Sequence, residues 1–205
     1  MRLLPSGSNA LLIELDDLDQ VLAMYTALSE ERPAGVSDIV PAARTVLLII
    51  DPEATDLGEV GRAVLQLRPR PECRAPGELV EIPVTYDGED LDEVGSLLGC
   101  DADEVVRRHV GETWTVAFCG FAPGFGYLSG ASGGWDVPRQ SSPRTTVPPG
   151  SVALAGEFSA VYPRASPGGW QLIGHTELDV FDLQRDPPAL LRPGTPVHFV
   201  EVGRA

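Results

Sequence analysis

Residues 113–130, TWTVAFCGFAPGFGYLSG, join a run of β-forming residues to a segment that is dense in glycine and aromatic side chains. The run TWTVAFC predicts a strand. The thirteen residues from Phe118 to Gly130 hold four glycines, one proline and four aromatic residues. Glycine allows positive φ and close approach of the backbone, proline stiffens a loop, and aromatic rings provide flat apolar walls. We therefore predict that a core strand ends here in a loop that shapes a binding site.

The residues from Thr113 onward predict a β-rich domain. Short runs of β-forming residues alternate with glycine and proline, which is typical of a β-barrel or a β-sandwich. The predicted strands are TWTVAFC, GSVALAG, FSAVYP, WQLIGHT, LDVFDL and PVHFVEV. Two short helices precede them, DLDEVGSLLG and DADEVVRRHV, and Asp90 and Asp101 are their predicted N-caps.

The first part of the chain predicts the order βαββαβ. One amphipathic helix follows the first strand, and a second begins near Thr55. The predicted strands are ALLIEL, VSDIVPA, TVLLII and ELVEIPVTY. This order is that of the ferredoxin-like fold, in which two helices cover one face of an antiparallel sheet. We therefore predict an α+β protein, with a ferredoxin-like domain over residues 1–84 and a β-domain over residues 85–205.

The composition argues against several classes of function. The chain has 15 basic residues, all of them arginine, against 30 acidic ones, and its formal net charge is −15. Such a chain repels phosphate backbones and anionic lipid surfaces, so we expect neither nucleic acid nor a membrane as a partner. No apolar run reaches the roughly 18 residues of a membrane helix. With no signal-peptide pattern either, we expect a soluble, cytoplasmic protein.

The cysteines and histidines predict neither a metal site nor a disulfide framework. Cys73, Cys100 and Cys119 are widely spaced, and the histidines form no HExxH or HxH pair. Cys119 lies on a predicted strand, so we interpret it as a packed thiol and not as a nucleophile. The sequence also contains no GxxxxGK[ST] phosphate loop and no GxSxG elbow.

Three segments hold the residues that could form a site, each combining prolines and glycines with aromatic residues or arginines. These segments are FCGFAPGFGYLSG, PRQSSPRTTVPPGS and VYPRASPGGWQLIGHT. Arg139, Arg144 and Arg164 could present forked donors to a carboxylate or a phosphate. The alternative is structural, with rings that fill the ends of a barrel and arginines that pair with neighbouring acids. For the three segments together we favour a site.

The same segments resemble a known family, the KipI-like proteins, which are also called allophanate hydrolase subunit 1 or the B subunit of 5-oxoprolinase. The resemblance spans nearly the whole chain and implies a small α+β domain followed by a cyclophilin-like β-barrel. The matching segments are GSNALLIEL, IPVTYDGEDLDEV, GFAPGFGYL, PRxxxPRxxVPxGSVAxAG and YPxxSPGGWxLIGHT. The sequence departs from the family at Pro149, where alanine is common, and at GEFSAVYP, which replaces a more polar stretch.

The resemblance implies membership of a 5-oxoprolinase, a multi-subunit complex that uses ATP to open the lactam of 5-oxo-L-proline to L-glutamate. An amide in an unstrained ring resists hydrolysis, and phosphorylation of its oxygen makes a better electrophile. The implied partners are the A subunit and the KipA-like C subunit of 5-oxoprolinase, and the assembled complex would use ATP with Mg²⁺. We expect this chain to be inactive alone and to carry no bound metal or covalent cofactor.

The resemblance also implies a set of residues that bind substrate or an anion. They are Phe125, Tyr127, Arg139, Arg144, Ser151, Tyr162, Trp170 and His175. The first two form an apolar wall, the two arginines bind an anion, and Tyr162 and Trp170 close the pocket. His175 stands where arginine is frequent, so it would contact an anion only when protonated. For His175 we favour the alternative, a histidine satisfied by its strand neighbours. No catalytic residue is assigned.

Two other functions are compatible with the same resemblance. Fused modules of this kind resemble the carboxyltransferase part of biotin-dependent urea carboxylase, although this chain has no lysine that could carry biotin. KipI itself is an inhibitor of a sporulation histidine kinase, which would make the chain a non-enzymatic binding protein. The neighbouring genes would separate the three functions. Genes for the A and C subunits favour the 5-oxoprolinase, a gene for a biotin carboxylase favours carboxyl transfer, and a gene for a sensor kinase favours the inhibitor.

Overall fold

The structure of the chain is a computed structural model that describes residues 1–69 and 78–203. The chain divides into two compact units, Met1–Arg74 and Ala75–Ala205. Within the described ranges, no helix is long and apolar enough to cross a membrane. Most of the proline-rich stretch that precedes residue 78, including Cys73, lies outside the described residues.

The first unit is a four-stranded antiparallel sheet with two helices. Its elements are β1 (Arg2–Pro5), β2 (Ala10–Glu14), α1 (Leu18–Glu30), β3 (Val36–Pro41), β4 (Thr45–Ile50) and α2 (Leu57–Gln66). The strand order is β1-β2-β4-β3, and all neighbouring strands are antiparallel. Asp17 and Asp56 cap the two helices, because their carboxylates accept hydrogen bonds from backbone N–H groups three residues later. The second helix therefore begins after Asp56 and not at Thr55.

The last strand of the predicted ferredoxin-like order belongs to the other unit, so that prediction is wrong at this element. The strand Val80–Thr85 (β5) pairs with strands of the barrel and with none of the first unit. In the first unit β2 pairs with β4 and with β1, a four-residue strand that the sequence analysis did not assign. A period of two identifies a strand but does not say which sheet it joins. The units divide between residues 74 and 75, before β5.

The second unit is a closed seven-stranded β-barrel with two helices and a small two-stranded sheet. Its further elements are α3 (Leu91–Leu98), α4 (Ala102–Gly111), β6 (Trp114–Cys119), β7 (Gly126–Gly130), β8 (Arg144–Val147), β9 (Ser151–Ala155), β10 (Phe158–Val161), β11 (Ser166–Gly168), β12 (Gln171–His175) and β13 (Pro196–Gly203). The strand order around the barrel is β10-β7-β6-β13-β5-β12-β9, and β10 and β9 close it. The predicted strand LDVFDL is absent; only an isolated bridge joins Phe181 to Ala189.

A histidine lies in the centre of this unit's core. The ring of His109 is fully buried, and its two nitrogens lie 2.8 Å from the Tyr86 hydroxyl and 2.8 Å from Ser159 Oγ. The rings of Trp114 and Phe199 pack against it. Burial lowers the pKa of His109 from 6.5 to about 3, so the imidazole is neutral near pH 7 and serves as a structural hydrogen-bonding group.

The stretch that opened the sequence analysis forms a β-hairpin. β6 and β7 are antiparallel partners, and the connection between them is residues 120–125. Gly124 has φ 81°, and a Cβ at this position would collide with the Phe181 ring, so this turn requires glycine. The prediction of a loop after a core strand is confirmed, and the end of the stretch is itself a strand.

Candidate functional site

Seven aromatic rings form one connected group on the barrel, which we call the aromatic cluster. Its members are Phe118, Phe121, Phe125, Tyr127, Phe158, Tyr162 and Trp170. Phe125 is at its centre, with ring centroids 5.1 Å from Tyr127, 5.2 Å from Tyr162 and 5.5 Å from Trp170. These contacts bring together four of the predicted site residues, contributed by two of the three segments. Edge-to-face packing of this kind is the favoured geometry of aromatic pairs and fixes the walls of the cluster.

Arg139 adds a positive charge to the aromatic cluster. Its guanidinium carbon lies 5.9 Å from the centroid of the Trp170 ring, and the residue is exposed. Among the described residues, no carboxylate forms an ion pair with it. Arg139 is therefore an available cation beside apolar walls, the combination that a small organic anion requires.

Two phenols of the cluster remain protonated near neutral pH. Burial raises the pKa of both Tyr127 and Tyr162, and the positive charge of Arg139 only partly opposes this effect. Their hydroxyl groups can therefore donate hydrogen bonds. The Tyr162 oxygen already accepts a backbone hydrogen bond from Trp170.

Arg144, by contrast, is paired with acids. Its Nε lies 2.7 Å from Glu89 Oε1, and its Nη2 lies 2.7 and 2.8 Å from the two oxygens of Asp90. Its Nη1 also donates to the carbonyl oxygen of Trp170 at 3.3 Å. An anion would have to compete with these two carboxylates for the guanidinium of Arg144. The contacts of Arg144 match the alternative given in the sequence analysis, in which the arginines pair with acidic residues.

Asp90 is not the side-chain cap that the sequence predicted. It occupies the N-cap position of α3 but makes no side-chain hydrogen bond to that helix, whereas Asp101 caps α4 as predicted. The Asp90 carboxylate is 5% exposed and accepts from Arg144, from the Leu172 backbone N–H at 2.6 Å and from Gln140 Nε2 at 3.0 Å. A buried carboxylate with several donors is satisfied, and here it joins three separate segments.

The Asp90 contacts belong to a network that holds the residues on both sides of Arg139. Gln140 donates from its backbone to the Gly169 carbonyl at 2.8 Å and from its side chain to Gln171 Oε1 at 2.6 Å. Gln171 in turn donates to the Pro138 carbonyl at 3.1 Å. Because Pro138 and Gln140 flank Arg139 and Gly169 precedes Trp170, the network positions the cation against the indole ring.

Ser151 and His175 do not contact the aromatic cluster through any described side-chain interaction. They are register partners on β9 and β12. Ser151 Oγ donates to the Pro148 carbonyl, and His175 Nδ1 lies 2.8 Å from Asp87 Oδ1. The interpretation of His175 as a residue satisfied by its neighbours agrees with this contact. Both residues remain predictions as ligand contacts.

The sequence analysis gave no site role to several contributors, among them Phe121, Asp90 and Glu89. Phe121 lies within the opening stretch but received no role, although its position among the glycines was visible. Asp90 and Glu89 gave no signal, because they are 54 and 55 residues from Arg144 in sequence.

Two further predictions concern cysteine and metal. Cys119 Sγ lies 3.4 Å from the Leu191 carbonyl, and burial raises the pKa of its thiol, which agrees with a packed side chain. Within residues 1–69 and 78–203, no three His, Cys, Asp or Glu side chains are grouped closely enough to hold a metal ion.

These features define a class of protein: an α+β chain whose closed barrel carries an aromatic cluster beside an exposed arginine. Residues 1–191 match the family described as "Carboxyltransferase domain, subdomain C and D", and the chain belongs to this family. It is 40% identical to the B subunit of the 5-oxoprolinase of Escherichia coli O157:H7 over 170 residues, which cover 81% of this chain and 78% of that protein. The resemblance to the B subunits of 5-oxoprolinases is thereby confirmed.

A second relative and two solved structures extend the comparison. The chain is 48% identical to the 5-oxoprolinase B subunit of Bacillus subtilis (strain 168) over 127 residues, 60% of this chain and 53% of that protein. The crystal structure of TTHA0988 has a TM-score of 0.76 at 36% sequence identity. The match covers 94% of this chain and 39% of the TTHA0988 chain. The Kluyveromyces lactis urea amidolyase has a TM-score of 0.81 at 17% identity, over 98% of this chain and 15% of that one. This last likeness shows the fold alone.

Proposed function

We propose that this chain is one component of an ATP-dependent 5-oxoprolinase that converts 5-oxo-L-proline to L-glutamate. The observation that carries the proposal is the 40% identity, over 81% of the chain, to a protein named as the B subunit of 5-oxoprolinase. The partners would be the A subunit and the KipA-like C subunit. The complex would act in the cytoplasm, where ATP is available.

The geometry of the site supports a role in binding the lactam. 5-Oxo-L-proline is a small ring with apolar faces, one carboxylate and one amide. The buried rings of Phe125 and Trp170 hold the half-buried ring of Tyr127, which provides apolar surface, and the exposed Arg139 provides a cation for the carboxylate. The protonated phenol of Tyr127 can donate a hydrogen bond to the lactam oxygen. These groups bind and orient the ring; they do not by themselves break its C–N bond.

ATP and Mg²⁺ would be bound in the assembled complex. Transfer of the γ-phosphoryl group from ATP to the lactam oxygen would make the ring carbon electrophilic. Water would attack that carbon, and the C–N bond would break as the nitrogen takes up a proton, which leaves an acyl phosphate. A second water would hydrolyse the acyl phosphate to the carboxylate of glutamate and free phosphate. This chain has no lysine and a net charge of −15, and its Arg144 is paired with two carboxylates. It is a poor host for a triphosphate, so we assign the nucleotide contacts to the partner polypeptides and expect the chain to be inactive alone.

Reconstitution tests the proposal. The purified chain is assayed for ADP and glutamate formation from ATP and 5-oxo-L-proline, first alone and then with candidate A and C subunits. We expect turnover that requires the lactam and all three polypeptides. A folded complex of the three that forms no glutamate contradicts the proposal.

Carboxyl transfer is the second candidate function, and the family description favours it. The carrier biotin would have to be on another chain, because this one has no lysine. Adding a carboxylated biotin carrier and urea to the same mixtures separates the two candidates. A carbon label on the carboxyl group of the carrier would appear in the urea product under carboxyl transfer, whereas under the 5-oxoprolinase proposal it would not.

A further inference from the structure

Phe121 has an unusual backbone. Among the described residues it is the only one other than glycine with positive φ, at 64°. The Ala122 N–H donates to the Gly120 carbonyl at 2.6 Å, which closes a three-residue turn with Phe121 at its centre. A γ-turn with positive φ at its central residue is rare and strained, and for a bulky side chain this region is an outlier.

The residues around Phe121 include glycines, which adopt positive φ without strain, but position 121 is not one of them. Gly120 precedes it, and Gly124 takes its own positive φ, 81°, without a side chain. A phenylalanine nevertheless occupies the left-handed position. Strain of this kind persists where surrounding structure enforces it, and it concentrates at functional sites.

The ring of Phe121 gains little from burial. It is 59% exposed, and it contacts the cluster edge-to-face, with centroids 5.2 Å from Phe125 and 6.2 Å from Tyr162. Every other member of the cluster is buried or half-buried. Packing alone therefore gives a weak reason for a strained phenylalanine, and the turn holds an apolar ring at the solvent side of the cluster.

We propose that Phe121 is a specificity-determining residue that forms the outer wall for the ring of a small cyclic amide. The inference rests on the proposed function and extends it. Phe121 contacts Phe125, and Phe125 lies 5.5 Å from Trp170, the ring beside Arg139. A ligand that pairs its carboxylate with Arg139 and lays its apolar face on the half-buried Tyr127 ring would still have a solvent-facing side, and the exposed Phe121 ring is the group placed to cover it.

Three substitutions separate the ring from the strain. Phe121→Tyr keeps the ring, Phe121→Ala removes the ring but keeps a Cβ in the left-handed region, and Phe121→Gly removes both. In the reconstituted complex we expect Phe121→Ala and Phe121→Gly to raise KM for 5-oxo-L-proline about ten-fold with little change in kcat, because a wall supplies binding and not chemistry. Phe121→Tyr should keep KM within about two-fold. KM for ATP should not change in any of them.

Thermal unfolding of the isolated chain supplies a second readout. Phe121→Gly should unfold about 3 °C above Phe121→Ala, since glycine relieves the left-handed strain and both variants lack the ring.

Leu183→Ala is the matched control for the KM measurements, because Leu183 is an 80% exposed apolar residue of the same unit. It should leave KM for the lactam unchanged.

The outcomes are distinct. An inactive wild-type complex contradicts the proposed function and, with it, the substrate assigned to Phe121. An active wild-type complex in which Phe121→Ala keeps the wild-type KM overturns the role of Phe121 alone. A fall in kcat together with a rise in KM for ATP in Phe121→Ala would mean that the ring only supports the fold. That result also overturns the proposal.

Discussion

In the first unit, every buried side chain among the described residues is apolar, whereas the second unit buries eight polar or charged residues. Those eight are Asp90, His109, Glu112, Ser151, Ser159, Gln171, Thr176 and Thr195. A buried polar group costs free energy unless it is hydrogen-bonded, so each one constrains its surroundings more than a leucine does. The first unit needs only a hydrophobic pattern, while the second uses polar contacts to fix loops that carry the candidate site.

Two features of the chain allow the units to be compared by experiment. All three tryptophans, Trp114, Trp135 and Trp170, lie in the second unit. Their fluorescence therefore reports the unfolding of the barrel, while circular dichroism at helical wavelengths reports helices of both units. All three histidines also lie in the second unit, so histidine-linked stability is confined to it.

Asp90→Ala should cause the largest loss of stability. It removes a carboxylate that accepts four hydrogen bonds from three residues, and it leaves the partly buried Arg144 with one ion pair at Glu89. We expect the free energy of unfolding of the barrel to fall by about 3 kcal/mol, measured by urea titration with tryptophan fluorescence.

Asp101→Ala is the matched control for Asp90→Ala. It removes an aspartate from the N-cap position of α4, where the carboxylate accepts one hydrogen bond from Glu104 N at 2.7 Å. Loss of such a cap costs about 1 kcal/mol. If the two substitutions cost the same, Asp90 acts as an ordinary cap and the polar network does not stabilise the barrel.

The pH dependence of the barrel should come partly from His109. Its pKa in the folded chain, about 3, lies below the ordinary 6.5, so the unfolded chain binds a proton first as the pH falls. The stability is complete above about pH 6.5 and is lost as the pH falls toward 3, by about 2 kcal/mol between pH 7 and pH 5.

Urea titrations of the wild type and of His109→Gln at these two pH values would test this expectation. The variant is less stable at both, but its loss between pH 7 and pH 5 should be smaller than that of the wild type by about 2 kcal/mol. Parallel losses in the two proteins would show that His109 is protonated in the folded chain.

The smallest effect is expected in the first unit. Asp56→Ala removes the cap of α2, whose carboxylate accepts from Glu59 N at 2.8 Å, and should cost about 1 kcal/mol. The loss should appear in the helical circular dichroism of the isolated chain. A fall of several kcal/mol in the free energy of unfolding would contradict this expectation, because it would mean that the Asp56 cap stabilises more than α2.

Much of the secondary structure could be predicted from local patterns. The helices in both units and the capping role of Asp101 follow from periodicity and from residues three positions apart. The strand Val80–Thr85 was recognised as a strand but assigned to the wrong sheet, because its partner β13 begins more than a hundred residues later. Local patterns carry no information on such pairings.

The candidate site could be predicted only in part, again because local patterns do not show which distant residues meet. The structure brings Phe125, Tyr127, Tyr162 and Trp170 together with Arg139 beside Trp170, while their role in binding stays a prediction. The role of Arg144 could not be read from its neighbours, since its acids are on the other side of α3 and α4 in sequence. The backbone strain at Phe121 could not be predicted, because it depends on the turn that the folded hairpin imposes.

The central claim is that Arg139 binds the carboxylate of the lactam while the aromatic cluster binds its ring. The most direct test is KM for 5-oxo-L-proline in the reconstituted complex with Arg139→Gln, with Arg192→Gln as the control, an exposed arginine of the same unit outside the three segments. Loss of a charge-assisted contact should raise KM for the lactam about thirty-fold in Arg139→Gln, with KM for ATP unchanged, while Arg192→Gln stays near the wild type. Equal KM values for the lactam in Arg139→Gln and the wild type would contradict the account.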